Sequence, residues 1–161
     1  MSHPFIRFAL LIVLTIPCAW AQTPKAPPDI HMVVMGGNDC PPCVAWRALE
    51  LPKLRSAQEF TAIRYSYVVK AIRSPVPSAF FLPETVQPLQ SKLMTASNGL
   101  SGSPHAAILV DGEVFDYYFG TRSAEEIIAM LTAIRTGAKY PFERCLKLGT
   151  SAKSCGLKGK D

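Results

Sequence analysis

The sequence predicts a single mixed α/β domain, and three stretches carry that prediction. Ile30 to Met35 is a near-continuous apolar run, as expected of a central strand covered on both faces. Ile63 to Val69 alternates, with Ile63, Tyr65, Tyr67 and Val69 set against Arg64, Ser66 and Val68. Asp111-Gly112, between the strand-like runs Ala106–Val110 and Glu113–Phe119, is the strongest hairpin signal in the chain. Helical spacing lies between these strands. Strands joined through helices run parallel and a hairpin runs antiparallel, so the sheet should be mixed with helices over its faces.

The first residues stand apart from that domain. Arg7 gives a short positive region, and Phe8 to Ile16 is apolar but too short to span a bilayer. Ala19-Trp20-Ala21 fits a small-x-small cleavage pattern, so residues 1–21 read as a secretory signal peptide cut after Ala21. The expected address is periplasmic or secreted. Pro17 makes Cys18 a poor match to a lipidation box. Residues 22–29, with Pro24, Pro27 and Pro28, read as a linker. The domain then occupies 30–136, and 137–161 forms a basic tail.

The richest stretch for chemistry is Gly36-Gly37-Asn38-Asp39-Cys40-Pro41-Pro42-Cys43. It falls where the first strand gives way to helical spacing from Val44. Unpaired N–H groups and the helix dipole stabilise a thiolate at a first helical turn, and the thiolate is the reacting species. Pro41 and Pro42 suit that turn, which does not use their missing N–H groups. Cys40 is expected as the exposed attacking sulfur and Cys43, one turn in, as the resolving one.

The helix after the cysteines should bury Val44, Ala48 and Leu51, with Ala45 and Leu49 beside them, and Pro52 should kink or end it. Ser56 and Glu59 have capping-box spacing for a further short turn of helix. Between Ala71 and Leu82 the pattern dissolves among Ser74, Pro75, Pro77 and Ser78. A helix follows between Pro83 and Ser97, with Val86, Leu89, Leu93 and Met94 as its apolar face and Asn98-Gly99 as its stop. After the hairpin, Ser123 and Glu126 form a capping box. Ile127, Ile128, Leu131 and Ile134 line a last helix ended by Gly137.

With these elements in place, the chain resembles the thioredoxin superfamily, and exported thioredoxin-like proteins in particular. The resemblance rests on Cys40-Pro41-Pro42-Cys43 after the first strand, on Ser103-Pro104 before the hairpin, and on Gly120 before the last helix. It covers roughly Ile30 to Ile134. It implies a thioredoxin-like sheet flanked by helices, with Pro104 as a cis-proline packed against the redox cysteines. It also implies that the backbone of Ser103 pairs with a bound substrate strand. The chain departs from thioredoxins proper at Asp39, which stands where they usually carry tryptophan. It departs again at Val34, which takes the place of a buried acid that helps deprotonate the resolving cysteine. Residues 22–29 leave no room for their extra leading strand and helix. Thiol–disulfide chemistry survives these differences.

Of the five cysteines, Cys18 leaves with the signal peptide, and the even number remaining suits two disulfides in an oxidising compartment. Cys145 and Cys155, with nine residues between them, are expected to form a structural disulfide pinning the tail. The competing reading of Cys40 and Cys43 is a non-enzymatic thioredoxin-like metal chaperone or interaction module. Soft thiolates would hold copper(I) there, while zinc would need a second ligand pair. His31 and His105 are candidate extra ligands, but each reads first as a hydrogen-bonded strand histidine. No metal and no organic cofactor is expected. The net charge of +5, one less without Arg7, is scattered, and no basic patch is interleaved with aromatics, which argues against nucleic acid as a partner. Expected partners are protein or peptide thiols and disulfides, together with a membrane or periplasmic electron donor.

Overall fold

The computed structural model describes residues 26–149. The expected signal peptide, the start of the linker, Cys18 and Cys155 lie outside the described residues. The strands are β1 (Ile30–Gly36), β2 (Arg64–Val69), β3 (His105–Val110) and β4 (Glu113–Phe119). The helices are α1 (Pro41–Leu49), α2 (Leu51–Arg55), α3 (Gln58–Thr61), α4 (Gln90–Ser97) and α5 (Ala124–Thr136).

The sheet order is β2-β1-β3-β4. β1 pairs parallel with β2, with Val34 opposite Tyr67, and antiparallel with β3, which turns back into β4. This is the mixed α/β domain read from the sequence, and it is compatible with a thioredoxin-like fold. Being central, β1 sends side chains into a core on each face. Met32 and Val34 pack with Trp46, Leu51, Leu54 and Phe60 of α1–α3 and with Ile127, Met130 and Leu131 of α5. Val33 and Met35 pack with Leu93 and Ala96 of α4, with Val76, Leu82 and Val86 of the segment before it, and with Cys145 and Leu148 of the tail. Burying aliphatic side chains of this size stabilises a fold by about 1.5–3 kcal/mol each.

Two local expectations are corrected. Helix α1 does not bury Val44, Ala45, Ala48 and Leu49. Val44 is 43% and Leu49 63% exposed, while Cys43 and Trp46 turn inward. Trp46 Nε1–H donates to the Arg122 carbonyl at 2.8 Å, and that bond together with the inward Cys43 sets the rotation of the helix. The Ser56–Glu59 capping box does not form. The Ser56 hydroxyl donates to the Pro52 carbonyl, and α3 starts after Ala57 with no side-chain cap.

Other signals act as read. α1 stops at Leu49, and Pro52 sits in the first turn of α2. The helix expected between Pro83 and Ser97 is a 3₁₀ turn, Gln87–Leu89, running into α4, and Asn98 stops it in the left-handed conformation (φ 53°). Asp111 and Gly112 both have positive φ, as a type I′ hairpin turn requires. Ser123 and Glu126 make a reciprocal capping box on α5.

The described part of the tail is packed against the domain. Tyr117 N–H donates to the Cys145 carbonyl at 2.7 Å and Leu148 N–H to the Ala96 carbonyl at 2.8 Å. A bulge between β3 and β4 leaves Phe115 out of the ladder, and its carbonyl accepts from Arg144 Nε–H. The central anchor is Asp116, 1% exposed, which accepts from Tyr140 O–H and Cys145 N–H, both at 2.9 Å. Asp116→Ala leaves both donors unpartnered, so it is expected to cost about 2–4 kcal/mol. Limited proteolysis should then cut the 138–149 segment first, and wild-type resistance in that variant would refute the anchoring role.

Candidate active site

Strand β1 delivers the chain to the site and then has to turn sharply. A Cβ on Gly36 would lie 2.7 Å from Cys43 Sγ and 2.8 Å from the Tyr67 hydroxyl oxygen. Only glycine lets the strand pass so close to both. At Gly37 a Cβ would meet the Asp39 carboxylate, which folds back along the turn. Asn38, Asp39, Pro41 and Pro42 form an exposed rim.

Cys40 is the N-cap of α1, with an extended backbone, and Pro41 and Pro42 occupy the first turn. Cys43 N–H donates to Cys40 Sγ at 3.3 Å, so the sulfur takes the place of the usual capping oxygen. The two sulfurs are joined in a disulfide, with Cα atoms 5.2 Å apart. Neither cysteine is open to solvent, and here the expectation for Cys40 is corrected: it is 1% exposed and Cys43 2%. The capping geometry turns the Cys40 sulfur inward over the helix start.

The opposite wall comes from the loop before β3. The Ser103–Pro104 peptide is cis, and Gly120 N–H holds the Pro104 carbonyl at 2.9 Å. Pro104 and Cys43 line one small cavity with Val34, Trp46, Tyr67 and Tyr118. The fold thus brings together Cys40, Cys43 and Pro104, which are far apart in sequence. Ser103 is half-buried beside them, and its hydroxyl has no partner among the described residues.

Comparison of the chain with protein-family models and with curated proteins finds no match.

Sequence reasoning missed two supports of this loop. Lys70, just past β2 and 5% exposed, donates from Nζ to the Ser74 carbonyl at 2.6 Å and to the Gly102 carbonyl. Burial lowers its pKa to about 8. Gly102 itself has φ +128°, and the Phe119 ring fills the space a side chain would need. A lysine following two valines and a glycine in a serine-rich loop carry no sequence signal of this pairing.

The candidate extra ligands are engaged elsewhere. His31 Nε2 bonds with Ser66 Oγ at 2.9 Å and His105 Nδ1 with Tyr117 O–H at 2.8 Å. Among the described residues no three His, Cys, Asp or Glu side chains cluster as metal ligands would. In the tail, Cys145 is disulfide-bonded, and Cys155, its expected partner, lies outside the described residues. What the site can do chemically is open and close one disulfide between two sulfurs at a helix start.

Proposed function

We propose that the protein is an exported thiol–disulfide oxidoreductase of thioredoxin-like type, working on the reductase or isomerase side. The observation that supports this best is the Cys40–Cys43 disulfide at the start of α1, on the same small cavity as cis-Pro104. In the dithiol form, the Cys40 thiolate, turned out from the buried position it holds in the disulfide, attacks a substrate disulfide. The first substrate sulfur leaves as thiolate and a mixed disulfide remains. Cys43 then attacks Cys40, the second substrate sulfur leaves with the electron pair, and the Cys40–Cys43 bond closes. Two electrons and two protons pass to the substrate, and an electron donor returns the protein to the dithiol. The exposed rim of Asn38, Asp39, Pro41 and Pro42 is where substrate would arrive, with the backbone of Ser103 beside it. Export rests on Arg7, the Phe8–Ile16 run and Ala19-Trp20-Ala21, and on cysteines paired as disulfides.

The direction of electron flow follows from the groups around Cys40. Pro41 and Pro42 offer no backbone N–H and no side-chain donor to its thiolate, and the Asp39 charge beside it is repulsive. The helix start favours the thiolate but only in part. The pair should therefore sit nearer thioredoxin, about −270 mV, than the strong periplasmic oxidant at about −120 mV. Equilibrating the mature protein in graded glutathione buffers and trapping free thiols gives the potential. A value more oxidising than about −180 mV would reverse the assigned direction.

A further inference from the structure

Cys43 has a problem to solve before it can resolve a mixed disulfide. It is 2% exposed, so a thiolate there lies away from water and needs a donor within the protein. Its own N–H is committed to Cys40 Sγ. The strand beneath it offers Val34, and among the cavity walls Trp46, Pro104 and Ala106 offer a negative sulfur nothing, which leaves Tyr67, Tyr118, Thr121 and Arg122 as the polar groups there. A buried thiolate without a donor is costly.

Among the described residues, Tyr67 and Tyr118 both bring unpartnered hydroxyls to this cavity, and the Tyr67 hydroxyl is the one set beside Cys43 above Gly36. Tyr67 lies opposite Val34 in the β1–β2 pairing, and its oxygen and Cys43 Sγ flank the same point above Gly36. The two atoms can be no farther apart than the sum of their distances to that point. The Tyr67 oxygen is buried and has no hydrogen-bond partner among the described residues. A buried, unpartnered hydroxyl is itself costly unless another state of the molecule uses it. The shared cavity, about 10 Å³ and large enough for about one water, leaves the freed sulfur room to turn.

We propose that Tyr67 is a catalytic residue whose hydroxyl donates a hydrogen bond to the Cys43 thiolate once the Cys40–Cys43 bond is open. The assignment rests on the oxidoreductase reading above and deepens it at the resolving step. In that step the Cys43 proton leaves to solvent, and the Cys43 thiolate attacks Cys40. The new S–S bond forms as the Cys40–substrate bond breaks, with the electron pair leaving on the substrate sulfur. Tyr67 keeps its own proton throughout. Burial raises the Tyr67 pKa, which keeps it a donor. The other polar groups lining this pocket are Tyr118 of β4 and Thr121 and Arg122 of the β4–α5 loop, and Arg47 of α1 stands 4.9 Å from the Tyr67 ring centre. Two of these are cationic and also favour a thiolate, and no carboxylate lines the cavity.

The test uses the full mature chain, reduced and mixed with excess dithiobis-nitrobenzoate, a small disulfide whose released thiolate is coloured. Attack by Cys40 releases a first coloured thiolate, and resolution by Cys43 releases a second. Tyr67→Phe keeps the ring, its packing and its contact with Arg47. It is expected to leave the first release unchanged and slow the second about tenfold at neutral pH, the scale of one hydrogen bond to a charged group. The gap should close in alkali, where the thiol ionises without help. Tyr65→Phe removes another buried, unpartnered hydroxyl that does not line this cavity, and it should behave as wild type. Equal second-phase rates in Tyr67→Phe and wild type would overturn the proposal. So would a slowing of both phases alike at every pH, or an equal slowing in Tyr65→Phe, since each marks loosened packing. A wild-type protein that reduces no protein disulfide, such as those of insulin, would refute the oxidoreductase reading alone, because the two-phase release is measured on a small disulfide.

Discussion

Replacing Cys40 with serine is expected to bring the reduction of insulin disulfides down to the rate of buffer and dithiol alone. Replacing Cys43 with serine should instead leave Cys40 able to attack but unable to let go. The two losses have different chemical origins. Cys40 sits at the N-cap of α1, where its sulfur already accepts the Cys43 N–H and would as a thiolate gain the helix dipole as well. Without that sulfur no first bond forms. Without Cys43, the mixed disulfide on Cys40 persists until an outside thiol displaces it. Mass spectrometry of Cys43→Ser after exposure to a disulfide-bearing peptide should therefore find one peptide bound per chain, absent from Cys40→Ser. Serine at either position is close in size to cysteine. Circular dichroism should accordingly show both variants folded, at some cost from the lost cross-link. Peptide trapped on Cys40→Ser and not on Cys43→Ser would exchange the roles of the two sulfurs. Full reductase activity in either variant would remove the pair from the chemistry.

The strands, the hairpin and the cysteine turn were legible because each is dictated by local chemistry. Asp111-Gly112 has to accept positive φ at two successive residues, and few dipeptides do. Ser123 and Glu126 satisfy the donors of their own helix end. The rotation of α1 was not legible, since the helix carries apolar residues around much of its circumference. Val44, Ala45, Ala48 and Leu49 form as good a stripe as Cys43 and Trp46 do. The choice was made by contacts distant in sequence, above all the bond from Trp46 to the Arg122 carbonyl. The Ser56 cap failed for a local reason: the Pro52 carbonyl lies one turn back and takes the hydroxyl first. At the site, the sequence points to Cys40, Cys43, Ser103 and Pro104. It hides Tyr67, because an alternating strand reads as sheet surface whatever its hydroxyls later face, and Lys70, just past that strand, because nothing local marks its bond to the Gly102 carbonyl. The register that sets Tyr67 opposite Val34 is a tertiary fact.

Acidification should unfold this protein through His105, the residue after cis-Pro104. Its imidazole is fully buried, bonded through Nδ1 to the Tyr117 hydroxyl and packed on the Phe119 ring. Burial, with a smaller contribution from the nearby Lys70 charge, lowers its pKa from 6.5 to about 4. In the unfolded chain the imidazole takes its proton near the ordinary value, and in the fold only near the lowered one. Between those limits unfolding takes up a proton, so acid favours the unfolded state. The stability from keeping His105 neutral is whole above about pH 6.5, falls through the window and is gone below about pH 4. That difference corresponds to about 3 kcal/mol, a large part of what holds a small domain together. His31, also lowered chiefly by burial, adds a loss of the same sign. Asp116 works the other way. Its carboxyl is raised by burial against the pull of its hydrogen bonds, so the fold takes up that proton before the unfolded chain does and recovers part of the loss. His105→Asn isolates the histidine, because its amide can still meet the Tyr117 hydroxyl but does not titrate. Urea midpoints at closely spaced pH values should fall steeply for wild type across the window and much less for the variant, whatever its absolute stability. Parallel curves for the two proteins would show that some other group carries the acid sensitivity.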